Sequence, residues 1–92
     1  MDIIWNSTKE NILKETRDIS LEEISHIILE KKYSAVLQNP SHPNQMIFIL
    51  KYKNYTFVVP FIIDELNNIV IKTAFPSRKF HALYGKQDEN KT

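Results

Sequence analysis

Two runs of apolar and β-branched residues, Met46–Tyr52 and Tyr55–Ile63, are separated only by Lys53-Asn54. So short a spacer between two strand-like runs reads as a tight antiparallel hairpin. Side chains alternate along a strand, which puts Met46, Phe48, Leu50 and Tyr52 on one face. Ile47, Ile49 and Lys51 fall on the other. Any fold available to this chain has to be built around that ribbon.

Upstream the spacing is helical. Ile3–Trp5 reads as a short first strand. A helix follows to about residue 16, with Asn6 as one candidate cap and Ser7, which forms a capping box with Glu10, as the other. Arg17-Asp18 makes a short connection. Ser20 opens a second helix: Ser20 and Glu23 fit a capping box, and Ile19 and Ile24 occupy staple positions. Leu21, Ile24, Ile27 and Ile28 form one apolar stripe, the natural face to lay on a sheet. Lys31-Lys32 ends the helix with the sign its dipole favours.

Downstream, residues 34–38 read as a strand and residues 39–44, rich in Pro, Asn and Ser, as a loop. Pro60 cannot donate to a ladder, so a bulge or a strand exit is expected there. Residues 64–68 turn the chain into a strand over 69–74. A helix over 78–84 should bury Phe80, Leu83 and Tyr84, with Gly85 as a left-handed C-cap. The order is β-α-α-β-β-β-β-α. It predicts an α+β fold: two N-terminal helices packed on an antiparallel sheet, with a short C-terminal helix. Residues 1–86 form one domain, and residues 87–92 read as a disordered polar tail.

With 42% hydrophobic and 25% charged residues, the chain is ordinary for a globular domain and unlike a disordered one. The absence of cysteine excludes disulfides and thiolate metal sites. Neither a signal sequence nor an apolar run of membrane-spanning length is visible, so a cytoplasmic location is expected. Residues 1–45 hold five basic and seven acidic groups, a net −2, and residues 46–92 hold seven and four, a net +3. A polyanion, if one docks, belongs on the second half.

Within that half, Lys72-Thr73-Ala74 leads through Phe75-Pro76 into Ser77-Arg78-Lys79. Basic side chains at a helix N-terminus oppose its dipole, unless an anion such as phosphate shares the site. The simpler reading is that both side chains point into water.

The start, Trp5-Asn6-x-x-Lys9 with Asn11, Leu13-Lys14 and Ile19-Ser20-Leu21-Glu22-Glu23, resembles the BrnT-like toxins of the RelE/ParE superfamily. The last strand with Pro76-Ser77-Arg78-Lys79 is similar to that family's closing Ile-x-Ala-Arg-Arg/Lys run. The likeness spans about residues 3–85. Asn6 stands where the family usually has Asp, and the last helix holds fewer arginines. The resemblance implies the toxin of a type II toxin-antitoxin system: a metal-independent endoribonuclease that inhibits translation and uses no cofactor. It also implies a ribbon-helix-helix antitoxin as partner and a complex that represses its own operon. The family's basic active surface falls on Lys9, Lys72, Arg78 and Lys79.

Metal-independent RNA cleavage needs a base for the 2′-OH, a cation for the phosphorane and an acid for the leaving 5′-oxygen. Arg78 suits the second task, with Lys79, Lys72 and Lys9 adding charge. His81 is an acid/base candidate, although an ordinary, partly exposed helix histidine is the simpler reading. Ser77 sits at the bend among the RNA-binding candidates. Tyr84 can donate a proton or stack on a base, though it also fits the inward face. His26, His42 and His81 share no ligand spacing, so no metal site is expected. Two other readings remain. One is a non-catalytic, degenerate toxin acting within a complex. The other is an RNA-binding sheet that presents the aromatics of 46–63 for stacking, although a two-layer core uses them more economically. Exposed edge strands offer pairing sites for a second copy or an antitoxin segment.

Overall fold

The computed structural model describes residues 1–85. The expected tail, 87–92, lies outside them. β1 (Ile3–Trp5) leads into α1 (Ser7–Arg17) and α2 (Leu21–Leu29). The sheet continues with β2 (Tyr33–Gln38), β3 (Met46–Tyr52), β4 (Tyr55–Ile63), β5 (Ile69–Ile71) and β6 (Phe75–Pro76). A single helical turn, α3 (Arg78–Phe80), runs on into a π-helical turn over His81–Gly85. The result is the expected α+β order, consistent with a RelE-like fold. No helix among the described residues is long and apolar enough to cross a membrane.

The β3–β4 hairpin closes through Lys53 (φ 52°) and Asn54 (φ 63°). Positive φ at both central residues is the mark of a type I′ turn, whose twist matches that of the flanking strands. Tyr52 then pairs with Tyr55 and Ile47 with Pro60. Phe48, Leu50, Tyr52, Phe57, Val59 and Phe61 thereby meet α1 and α2 in the main core, with Leu21 and Ile24 fully buried beneath them. Burying side chains of this size stabilises by ~1.5–3 kcal/mol each. The opposite face carries a smaller cluster, Ile47, Ile49 and Val58, covered by Phe80 and Tyr84. Leu83, expected inside, is 58% exposed, because the π-helical turn rotates it away from that cluster.

Three sheet features depart from expectation. The strands run in the order β1-β5-β4-β3-β2, and β1 pairs with β5 in parallel, so the sheet is mixed. A parallel neighbour is available because α1, α2 and the β2–β4 meander intervene before β5 returns beside β1. Pro60 causes neither bulge nor exit. Its carbonyl accepts from Lys72 N at 2.8 Å, which shows that this residue's backbone edge faces away from β3. The missing N–H therefore falls in the gap between β6, opposite residues 57 and 58, and β5, opposite 61–63. The expected strand over 69–74 is broken by the same gap into β5 and β6.

Asn6 is the α1 cap, its Oδ1 accepting from Thr8 N at 2.8 Å and Lys9 N at 3.1 Å. At α2, Ser20 Oγ accepts from Glu23 N at 3.2 Å. The reciprocal half of the capping box is relayed: Ser20 N donates to Tyr52 Oη at 3.0 Å, and Tyr52 Oη donates to Glu23 Oε2 at 2.9 Å. A buried hydroxyl of the hairpin thus terminates a helix. Lys53 makes a second tie, donating to Asp18 Oδ2 at 2.8 Å in the α1–α2 connection. That pair holds the exposed Asp18 carboxyl below its ordinary range.

Tyr52→Phe leaves Ser20 N without its partner, and an expected loss of about 1–3 kcal/mol can be read from urea unfolding. Burial, chiefly, pushes the Tyr52 phenol above its ordinary 10.0. The folded state therefore favours the neutral phenol. This contribution is complete below pH 10.0 and is lost as pH rises through the raised value. Wild type should lose stability above pH 10.0 more steeply than Tyr52→Phe.

Candidate nucleic-acid interface

Lys9 leaves the first turn of α1 and Lys72 leaves the chain just past β5. Both are exposed, and both line a cleft of about 370 Å3 together with His42, Gln45, Pro60 and Phe75. That size falls in the ~300–1,000 Å3 range of ligand clefts. A second cleft, about 600 Å3, shares Lys9 and Lys72 and extends past Asn6, Thr8 and Val70. A third, about 360 Å3, shares Lys9, Thr73 and Phe75 and reaches Arg17. The three form one groove around Lys9. No Asp or Glu lines any of them. Among the described residues the ion pairs are Lys32–Glu30 and Lys53–Asp18, so none neutralises Lys9, Arg17 or Lys72. Uncompensated like charges around a concave surface focus a positive potential there.

His42 reaches this groove from a loop folded on itself. Asn39 N donates to Gln45 O at 3.0 Å, and Gln45 N to His42 O at 2.9 Å. The buried Asn39 side chain donates to Gln45 Oε1 at 3.2 Å and accepts from Ser41 N at 2.9 Å. In the sequence this stretch looks like an ordinary Pro/Asn/Ser connector. Nothing in its spacing pairs His42 with Lys9 or Lys72, so His42 and Gln45 were not among the expected site residues.

The bend that opens α3 stands apart from this groove. Lys72 N bonds Pro60 O, whereas Ser77 N bonds Thr56 O at 3.0 Å. Four residues of β4 separate those anchors, roughly 14 Å along the strand. Arg78 lines a different recess, of about 340 Å3, with Tyr55 and Pro76. Lys79 is exposed, its ammonium 5.6 Å from the Phe80 ring centroid. Ser77 Oγ accepts from Phe80 N at 3.3 Å and so caps the turn itself. The structure thus brings Lys9 and Lys72 together and places Arg78, Lys79 and Ser77 elsewhere.

His81 belongs to the packing of this second region. Its Nδ1 lies 3.0 Å from Thr56 Oγ1 and accepts from Thr56 N at 3.3 Å. An acceptor at Nδ1 places the ring proton of the neutral imidazole on Nε2. The ring stacks on Tyr55 with centroids 4.1 Å apart and planes 15° apart. The imidazole does for the β4 edge what a neighbouring strand's carbonyl would do. Gly85 completes the arrangement. Its φ is not positive, so it is not the left-handed cap the sequence suggested. A Cβ there would sit 2.9 Å from the His81 ring, so the chain's single glycine admits the imidazole. Tyr84 packs against the small cluster beside Phe80.

Among the described residues, no three His, Asp or Glu side chains gather closely enough to hold a metal ion. The aromatics of the hairpin build the core rather than a stacking sheet: Phe48, Tyr52, Phe57 and Phe61 are buried against the helices. No protein-family model matches the chain, and no curated protein or solved structure matches it at a significant level.

Gly85→Ala forces the clash with a ring already fixed by Tyr55 and Thr56. A loss of about 1–3 kcal/mol is expected in chemical denaturation. In a His81→Ala background the same change should cost less, with a coupling of at least ~0.5 kcal/mol in the double-mutant cycle.

Proposed function

We propose that this protein is an RNA-cleaving toxin of the RelE-like, BrnT-like kind, acting through the groove around Lys9 and Lys72. The observation that carries the reading is the groove itself: two lysines from separate elements, with Arg17 and His42 beside them and no carboxylate on its walls. The resemblance along residues 3–85 supports the same class.

RNA cleavage without a metal proceeds by attack of the 2′-oxygen on the adjacent phosphorus and departure of the 5′-oxygen. Charge builds on the non-bridging oxygens as this happens, and Lys9 and Lys72 are the cations positioned to offset it. A proton must leave the 2′-OH and another must reach the 5′-oxygen. His42 is the imidazole that lines the same cleft, and it replaces His81 as the candidate for one of these transfers. Arg78 and Lys79 then serve as outlying contacts for flanking phosphates. A ribbon-helix-helix antitoxin that neutralises the toxin is the partner this class implies.

The competing reading is a degenerate toxin retained for complex assembly. It is favoured by one observation: among the described residues, no hydrogen bond links His42, Lys9 and Lys72 into a proton-transfer pair.

Induced expression separates the two. Wild type should arrest growth and cut RNA in the presence of a chelator. Lys9→Ala, Lys72→Ala and His42→Ala should each lower cleavage by about 10-fold or more. Lys79→Ala should stay near wild type. Intact RNA at high toxin concentration, with a partner still bound tightly, would replace the enzyme by the interaction module.

A further inference from the structure

Ten aromatic residues lie within the described chain, and Phe75 is the one whose side chain is left exposed. It is 37% exposed and lines two of the three clefts, both of them shared with Lys9, one also with Lys72 and the other with Arg17. A lone exposed aromatic on an unremarkable surface needs no explanation. This one sits where no negative side chain competes. Its stretch of backbone is also tied to β4 at three points. Val58 pairs with it across β4, Lys72 N is bonded to Pro60 O before it, and Ser77 N is bonded to Thr56 O after it. An exposed apolar ring beside cations, carried on a hydrogen-bonded backbone, is the surface that takes the face of an unstacked base while the charges take its phosphates.

Resting on the RNA reading above, we infer that the groove accepts single-stranded RNA and that Phe75 is the platform on which one base stacks. The chemistry selects the single strand. In an A-form duplex each base face is covered by its neighbours, and protein reaches only phosphates, 2′-hydroxyls and base edges. A ring standing in the groove then has nothing to stack upon. In a single strand the base turns inward onto Phe75, and its two phosphates meet Lys9 and Lys72. Specificity for an unpaired segment therefore comes from the aromatic residue, and affinity from the lysines.

Fluorescence anisotropy with a labelled oligouridylate tests this, its sugars 2′-O-methylated so that it cannot be cut. The same titration is run with a stable RNA duplex. Wild type should bind the single strand more tightly than the duplex. Phe75→Ala should weaken single-strand binding by about 5- to 100-fold and leave duplex binding unchanged. Phe75→Trp should retain single-strand binding. Phe75 is a partly exposed residue on a two-residue strand, and far-ultraviolet circular dichroism should show Phe75→Ala folded. Unchanged single-strand affinity in folded Phe75→Ala, or a preference for the duplex, overturns the platform and leaves the RNA reading standing. Failure of wild type to bind either RNA overturns both.

Discussion

The register of the β3–β4 hairpin governs the rest of the molecule. A type I′ turn at Lys53-Asn54 aligns Phe48 with Val59 and Leu50 with Phe57, which gathers the large side chains on the face that α1 and α2 cover. A slip of one residue would turn those side chains to the opposite face. The hairpin also reaches into the helices directly. Tyr52, one residue before the turn, finishes the cap of α2 through its hydroxyl. Lys53, within the turn, ties the α1–α2 connection.

With one edge of β4 given to β3, its other edge is shared by three short segments. The π-helical turn docks through Thr56, β6 pairs at Phe57 and Val58, and β5 pairs from Phe61 to Ile63. Pro60 stands at the interruption, where its absent N–H does no harm. The break leaves residues 72–74 outside both short strands, and the groove opens there. Lys72 and Phe75 therefore reach Lys9 because the strand is broken. Further along the same edge, Thr56, His81, Tyr55 and Gly85 form a second assembly that holds α3 to the sheet.

Much of the architecture can be read from local pattern. The hairpin, the Ser20 cap, the apolar stripe of α2 and the element order each follow from chemistry between residues near in sequence. Tertiary relations are where pattern reading failed. Pro60 looked disruptive because its partner edge was not visible. Gly85 looked like a helix cap because the approach of the His81 ring cannot be seen in a string of letters. Lys9 and Lys72, which the family resemblance names together with Arg78 and Lys79, line one cleft. The same resemblance carries Arg78 and Lys79, yet the separate anchors at Pro60 and Thr56 hold them apart. His42 carries no site role in the sequence beyond a dismissed metal spacing, because a histidine in a polar loop gives no signal until the loop folds back on the sheet.

The central claim is that phosphate is held by the groove at Lys9 and Lys72 rather than by the bend at Arg78 and Lys79. The salt dependence of RNA binding addresses it most directly, because each lost phosphate contact reduces the slope of log K against log salt by about 0.7 for a single strand. Lys9→Ala/Lys72→Ala should flatten the slope by about twice that amount, and Arg78→Ala/Lys79→Ala should flatten it less. An unchanged slope in the first double variant, with a flattened slope in the second, would contradict the account.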